Sequence, residues 1–152
     1  TATTEIYTLS LHDALPICSR LSDLFRHGSY EPLPARGARA RHVCAFRRLW
    51  QDQEILVVIP RFTFALTGGR RLPTGAAVWR NTSLDWSGGP PAARYRNLFT
   101  GEILSPTASR RRPDRIQPHD SNNRSLPATP NRKLPVAAIL DHFPVALLHA
   151  VP

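Results

Sequence analysis

The stretch EILVVIP (54–60) decides the fold class of this 152-residue chain. Its residues 55–59 form a continuous apolar run, without the alternation that marks a strand with one face in water. A short run of this kind is typical of a central β-strand that is covered on both sides. The preceding segment RHVCAFRR (41–48) predicts a second strand, and the polar connection 49–53 joins the two.

Shorter elements are predicted on both sides of this strand pair. Leu21, Leu24 and Phe25 have helical spacing and Gly28 follows them, which predicts a short helix over 19–27. The pair Thr100-Gly101 separates two extended segments and predicts a hairpin, because glycine accepts the positive φ of a tight turn. The other predicted elements are an extended segment at 30–33, strands at 76–81, 82–86 and 143–151, and a helical segment at 134–140.

Two segments differ in character from the rest. Residues 1–17, TATTEIYTLSLHDALPI, resemble the in-frame translation of a common sequencing adapter, so we interpret them as a non-native, adapter-derived segment. Residues 105–133 contain five Pro and seven Lys or Arg, with Ile116 and Leu126 as the large apolar residues. Such a segment buries too little apolar surface to offset its ordering entropy, so we predict a disordered Arg/Pro-rich insertion.

The remainder of residues 18–152 predicts an antiparallel β-sandwich with short helices, interrupted by this long disordered loop. Without the two segments, the length is close to the roughly 100 residues of a simple sandwich. Several short strands, frequent Gly and Pro breaks and little helix are typical of that architecture.

Composition argues against several classes of protein. The formal net charge is +9, and no apolar run approaches the roughly 20 residues that a membrane-spanning helix needs. We expect a cytoplasmic protein without a secretory signal, and a fragment, because the chain contains no Met. Cys18 and Cys44 have neither CxxC nor Cys/His spacing, so we expect free thiols, no metal site and no cofactor. Cys44, in mid-strand, is expected to be buried.

The ionisable residues form no pattern that indicates a catalytic site. After residue 17 the acidic side chains fall mostly in predicted loops and at strand ends, where solvated surface charge is expected. They are Asp23, Glu31, Asp52, Glu54, Asp85, Glu102, Asp114, Asp120 and Asp141. The neighbours Asp141 and His142 could form a base and its orienting group, but we expect them to point in different directions.

Six segments are similar in sequence to stretches of one protein family and occur in the same order. They are LFRHGSYEPLP (24–34), RHVCAFRR (41–48), EILVVIPRF (54–62), LPTGAAVWRNTSLDW (72–86), YRNLFTGEIL (95–104) and LPVAAILDHFPVALL (134–148). Together they resemble the C-terminal region of the maltooligosyl trehalose synthases, (1→4)-α-D-glucan 1-α-D-glucosylmutases of the α-amylase superfamily. The insertion departs from the family pattern.

The resemblance implies a β-sandwich that follows a catalytic barrel. The complete enzyme would isomerise the reducing-end α-1,4 linkage of a maltooligosaccharide to an α,α-1,1 linkage. Its two catalytic carboxylates would lie in the barrel, which this chain does not contain, so no catalytic residue is assigned. The implied partner is the missing N-terminal barrel of the same polypeptide, and the maltooligosaccharide is the substrate of the parent enzyme.

Three aromatic residues are candidates for contact with carbohydrate or with the barrel: Trp79, Trp86 and Tyr95. Packing in the core explains them equally well. An alternative function is a stand-alone basic protein that binds nucleic acid non-specifically through the Arg-rich loop. That loop lacks interleaved aromatic residues for base stacking, so we prefer a solvated linker.

Overall fold

The computed structural model describes residue 17 and residues 19–88, 94–109 and 131–152. Its strands are β1 (Glu31–Pro32), β2 (Ala35–Arg36), β3 (Val43–Trp50), β4 (Gln53–Pro60), β5 (Ser83–Ser87), β6 (Arg94–Asn97), β7 (Ile103–Leu104), β8 (Thr107–Ser109), β9 (Asn131–Pro135) and β10 (Ala146–Val151). Its helices are α1 (Ser22–His27), α2 (Thr63–Thr67), α3 (Ala76–Trp79) and α4 (Val136–Ile139), with a 3-10 turn at Ala40–His42.

The strands form two antiparallel sheets, which confirms the predicted fold class. The six-stranded sheet has the order β1-β3-β4-β10-β6-β7, and the four-stranded sheet has the order β2-β5-β9-β8. One apolar core joins them: Leu56 and Val58 of the first sheet belong to the same buried cluster as Leu84 and Leu134 of the second. The domain is therefore a β-sandwich-like structure.

Strand β4 is covered on both sides over the first part of its apolar run, as the run predicts, whereas Ile59 near its end is 40% exposed. Leu56 and Val58 face the core between the sheets. Ile55 points the other way and packs with Leu21 and Leu24, which form a second cluster around α1. Because successive side chains of a strand alternate between faces, the core covers one face of β4 and the cluster around α1 covers the other at Ile55.

The predicted elements at the start of the chain are largely confirmed. Helix α1 ends where the sequence suggests, since the Gly28 N–H donates to the Leu24 carbonyl at 3.1 Å. A Cβ at Gly28 would lie 2.3 Å from that same carbonyl oxygen, so glycine is required here. The connection between β3 and β4 is shorter than predicted, because β3 continues to Trp50 and β4 begins at Gln53.

One predicted strand, at 76–81, is wrong. The chain forms the short helix α3 instead, after Gly75 adopts a φ of 73°. The indole Nε1 of Trp79 donates to the Pro73 carbonyl at 2.7 Å, and the side chain has no exposed surface. A run of apolar residues suits a buried helical turn as well as a strand, and the core contact of Trp79 decides between them.

The predicted insertion is too long at both ends. Strand β8 pairs with β9, with Thr107 opposite Lys133 and Ser109 opposite Asn131, so these residues belong to the second sheet. Residues 110–130, which hold the rest of the predicted insertion, lie outside the described residues.

The predicted adapter-derived segment also lies almost wholly outside the described residues, since it is described at Ile17 alone. The Ile17 carbonyl accepts a 3.0 Å hydrogen bond from the Leu21 N–H. Its side chain packs against the cluster around α1. At this residue the segment contacts the fold.

Candidate functional site

Four polar side chains meet between the sheets, on strand faces that carry mainly apolar residues. We call Arg47, Glu54, Tyr95 and Arg132 the buried cluster. Strand alternation explains why these side chains point inward. Glu54 lies two residues before the inward-facing Leu56, and Arg132 lies two residues before the buried Leu134. Strands β3, β4 and β6 of the first sheet and β9 of the second contribute one residue each.

Both carboxylate oxygens of Glu54 are engaged. The Tyr95 hydroxyl donates to Oε2 at 2.7 Å, and Arg47 Nη1 donates to Oε1 at 3.3 Å. Arg132 Nη1 donates to the Tyr95 hydroxyl oxygen at 2.9 Å and lies 3.8 Å from Glu54 Oε2. Arg47 also binds Glu31 Oε2, through Nη2 at 2.6 Å and Nε at 2.9 Å. The two guanidinium groups and the two carboxylates balance in charge.

Burial is the main reason why the pKa of Tyr95 lies well above its ordinary value of 10.0, and the hydrogen bond to Glu54 raises it further. The phenol therefore stays protonated and acts as a donor. Glu54 has no exposed surface. No substrate can reach the Glu54 oxygens, so the buried cluster does not perform acid–base chemistry. Its contacts hold the two sheets together, because Arg132 of one sheet binds Tyr95 and Glu54 of the other.

A polar cleft opens beside the buried cluster. It is lined by the segment from Glu31 to Pro34, by Arg36 and Arg47, and by Asp85, Trp86 and Ser87 of β5 and Asn131 of β9. Its volume is about 210 Å³. Arg36 Nε lies 3.4 Å from Asp85 Oδ2 and forms an ion pair across this cleft.

Two buried polar atoms of the cleft residues have no hydrogen-bond partner among residues 19–88, 94–109 and 131–152. They are Asp85 Oδ1 and Trp86 Nε1, on neighbouring residues of β5. Buried polar groups in proteins are nearly always hydrogen-bonded, so each exception calls for an explanation.

A separate surface is apolar. Ile59, Phe62, Phe64 and Leu72 are exposed large hydrophobic residues around helix α2, and we call them the apolar patch. Phe64 is 78% exposed. Prolines 60, 73 and 144 and Val145 extend the surface as a shallow groove. Positive charge adjoins the patch, since Arg71 lines the groove and the Arg61 guanidinium lies over the Phe62 ring.

The three predicted aromatic contact residues are brought close to the core. Trp79 and Tyr95 have no exposed surface, and Trp86 is 6% exposed. Trp86 and Tyr95 pack edge to face, with ring centroids 5.8 Å apart. Core packing accounts for Trp79 and Tyr95. Trp86 alone of the three lines the polar cleft, and its contact with carbohydrate or with a barrel stays a prediction.

Three expectations about ionisable and thiol groups are wrong. Glu54 is fully buried rather than solvated. Cys44 is exposed, because its strand alternates and the neighbouring Val43 and Ala45 take the inward face. His142 does meet an acidic neighbour: its Nε2 lies 3.7 Å from Asp141 Oδ2 and 3.3 Å from Glu102 Oε1. That group is exposed to solvent, as surface ion pairs are.

The Arg-rich stretch proposed for nucleic acid is only partly described. Arg132 belongs to the buried cluster, where it is 9% exposed and cannot contact a phosphate backbone. Within the described ranges, no group of three or more His, Cys, Asp and Glu is placed to hold a metal ion. None of the helices in the described part of the chain is long and apolar enough to cross a membrane.

The buried cluster is a feature that the sequence analysis missed, although a signal for it was present. Glu54, Arg47 and Arg132 each keep the two-residue period of an inward strand face. A charged residue in phase with buried positions indicates a buried ion pair whenever another strand supplies the opposite charge.

Comparison with known proteins gives one informative likeness. No protein-family model and no curated protein matches the sequence. A solved structure of a mutant of maltooligosyltrehalose synthase from Arthrobacter ramosus is similar, with a TM-score of 0.59 and 21% sequence identity. The two share a fold.

The match covers 96% of this chain but 14% of the Arthrobacter enzyme, so this chain spans a small part of the length of that enzyme. The comparison gives no support to an adapter origin for residues 1–17.

Proposed function

We propose that the chain is a non-catalytic, C-terminal β-sandwich domain of a maltooligosyl trehalose synthase. The parent enzyme would be a cytoplasmic isomerase that converts the reducing-end α-1,4 linkage of a maltooligosaccharide to an α,α-1,1 linkage. Its catalytic barrel, in the same polypeptide, would be the partner of this domain.

The observation that carries this proposal is the shared fold. Nearly the whole chain superimposes on a small part of the Arthrobacter enzyme, as expected for one domain of a larger protein. The six sequence segments that resemble the C-terminal region of this family support the same assignment.

The distribution of acidic residues supports a non-catalytic role. Retaining glycosyl transfer needs two accessible carboxyl groups about 5 Å apart, one as nucleophile and one as acid/base. Glu54 is fully buried and bonded at both oxygens. Glu31 and Asp85 are paired with arginines.

The apolar patch supports a docking role toward the barrel. A folded monomer rarely leaves Phe62, Phe64 and Leu72 together in water, and such patches mark interaction sites. Phe62 has a φ of 53°, a left-handed conformation that is unfavourable for an aromatic residue. Its ring lies under the Arg61 guanidinium, 5.2 Å away. We assign this surface to contact with an apolar, acid-rimmed face of the barrel.

A domain exchange tests the proposal. The matching region of the Arthrobacter enzyme is replaced by this chain, and the product from maltopentaose is analysed for a non-reducing, trehalose-ended sugar. We expect activity from the chimera, none from this chain alone, and none from the enzyme without the region.

A matched pair of variants identifies the docking surface. Phe64→Asp should abolish the activity of the chimera, while Tyr30→Asp, at an aromatic residue that is 61% exposed outside the patch, should retain it. An isomerase reaction catalysed by the isolated chain, or equal activity of both variants, would contradict the proposal.

A further inference from the structure

We propose that three arginines on one surface bind the phosphate backbone of a nucleic acid. They are Arg39, Arg41 and Arg61, and we call them the arginine surface. Arg41 and Arg61 are exposed, and Arg39 is half-buried. This inference does not rest on the proposed function, because it concerns side chains outside the apolar patch. It also uses a different part of the chain from the Arg-rich loop, whose Arg132 is buried.

The arginine surface begins in a short basic segment of the sequence. The segment ARGARAR (35–41) holds three arginines and no acidic residue. Short basic segments of this kind attract phosphate backbones. The first of the three, Arg36, pairs with Asp85. Arg39 and Arg41 are therefore the members of the segment that can bind an external anion.

The fold adds Arg61 to this segment. Strand β4 ends at Pro60 opposite Val43 of β3, so the next residue lies beside the 3-10 turn. The Arg61 N–H donates to the His42 carbonyl at 2.8 Å, and Arg61 Nε donates to the Arg41 carbonyl at 2.8 Å. Two arginines that are 20 positions apart in the sequence therefore belong to one surface.

The backbone that carries Arg39 is fixed by the chain that follows α3. The Arg39 N–H donates to Thr82 Oγ1 at 3.0 Å, and the Ala38 N–H donates to Asn81 Oδ1 at 3.1 Å. Gly37 has a φ of 105°, and a Cβ there would lie 2.6 Å from the Asn81 carbonyl oxygen. A fixed backbone lowers the conformational entropy that is lost when a partner binds.

The exposed guanidinium groups keep donors for a ligand. Arg41 Nε donates to His42 Nε2 at 3.2 Å, and Arg61 Nε is used for the Arg41 carbonyl. Within residues 19–88, 94–109 and 131–152, the Nη atoms of Arg41 and Arg61 donate to no protein acceptor. The planar Nη groups of arginine match the oxygens of a phosphate in geometry and in charge.

No carboxylate neutralises the arginine surface in the part of the chain that the structure describes. Elsewhere in the fold, Arg47 and Arg132 both pair with Glu54. Neighbouring like charges repel one another, so the arginine surface attracts an external anion. A nucleic acid presents successive phosphates to several arginines at once, and the release of its counterions adds to the affinity. Contacts to phosphates carry no sequence information, so we expect binding without sequence preference.

The salt dependence of binding tests this surface. Fluorescence anisotropy of a short labelled oligothymidylate gives the affinity of the native chain at several salt concentrations. The same titration is made with the triple variant Arg39→Gln, Arg41→Gln, Arg61→Gln. Three lost phosphate contacts should make the slope of log affinity against log salt shallower by about 2 and weaken binding about tenfold at low salt.

A second triple variant is the matched control, because it loses the same charge from the Arg-rich loop. It carries Arg110→Gln, Arg111→Gln and Arg112→Gln, and it should keep the slope of the native chain. Arg61→Gln alone keeps the test informative if the first variant does not fold, and its slope should be shallower by about 0.7. Equal losses in the two triple variants, a native slope in folded Arg61→Gln, or equally tight binding of poly-L-glutamate would overturn the proposal.

Discussion

The hydroxyl of Tyr95 on β6 donates a 2.7 Å hydrogen bond to Oε2 of Glu54 on β4, a residue 41 positions earlier in the chain. Arg132 of the other sheet donates to the same hydroxyl oxygen. A buried carboxylate is costly unless it is paired and hydrogen-bonded. Here Tyr95 donates the hydrogen bond, and Arg47 and Arg132 supply the opposite charge. The arrangement links the two sheets, since Tyr95 and Glu54 belong to one and Arg132 to the other.

Removing the hydroxyl of Tyr95 should destabilise the fold. In Tyr95→Phe, Glu54 Oε2 and Arg132 lose a buried partner, which should cost about 1–3 kcal/mol of unfolding free energy. Urea denaturation measures the change. Tyr30→Phe, at an exposed tyrosine, is the control and should leave the midpoint unchanged. Equal midpoints for Tyr95→Phe and the native chain would argue against the buried cluster.

Tyr95 should also make stability depend on pH in the alkaline range. Its pKa is raised in the folded state by burial and by Glu54, so the proton is held longer there than in the unfolded chain. Stability from this group is complete below the unfolded pKa of about 10 and is lost as the pH rises from there toward the folded pKa. Urea denaturation midpoints measured at increasing pH above about 10 should fall more steeply with pH for the native chain than for Tyr95→Phe.

Cys44 should react in the native state. Its side chain is exposed on β3, opposite Ile59 of β4. In a Cys18→Ser background, a water-soluble thiol reagent should modify the folded protein nearly as fast as the denatured protein. Complete protection until unfolding would instead support the buried thiol that the apolar neighbours in sequence suggest.

Phe62 should tolerate asparagine better than valine. Its φ of 53° and ψ of 43° lie in the left-handed region, which asparagine accepts and a β-branched residue resists. Because its side chain is 65% exposed, little buried area is lost in either variant. We expect Phe62→Asn to match or exceed the native stability and Phe62→Val to be about 1 kcal/mol less stable than Phe62→Asn. Thermal unfolding compares them, and the reverse order would contradict the assigned backbone conformation.

The sequence alone determined the elements whose signals are local. The apolar run 55–59 predicts a central strand and Gly28 predicts the end of α1, because side-chain alternation and the space that a Cβ needs beside the last helical turn act over a few residues. The mainly antiparallel architecture follows from many short strands between Gly and Pro breaks.

Tertiary structure decided the features that depend on contacts between distant residues. The run 76–81 became helical where Trp79 reached the core and the Pro73 carbonyl. Residues 131–133 entered a sheet because β5 and β8 offered backbone partners on both sides. Glu54 is buried because Arg47, Tyr95 and Arg132 converge on it. Periodicity can place a charge on an inward face, but the compensating charge lies up to 78 positions away in the sequence, and folding alone brings the two together.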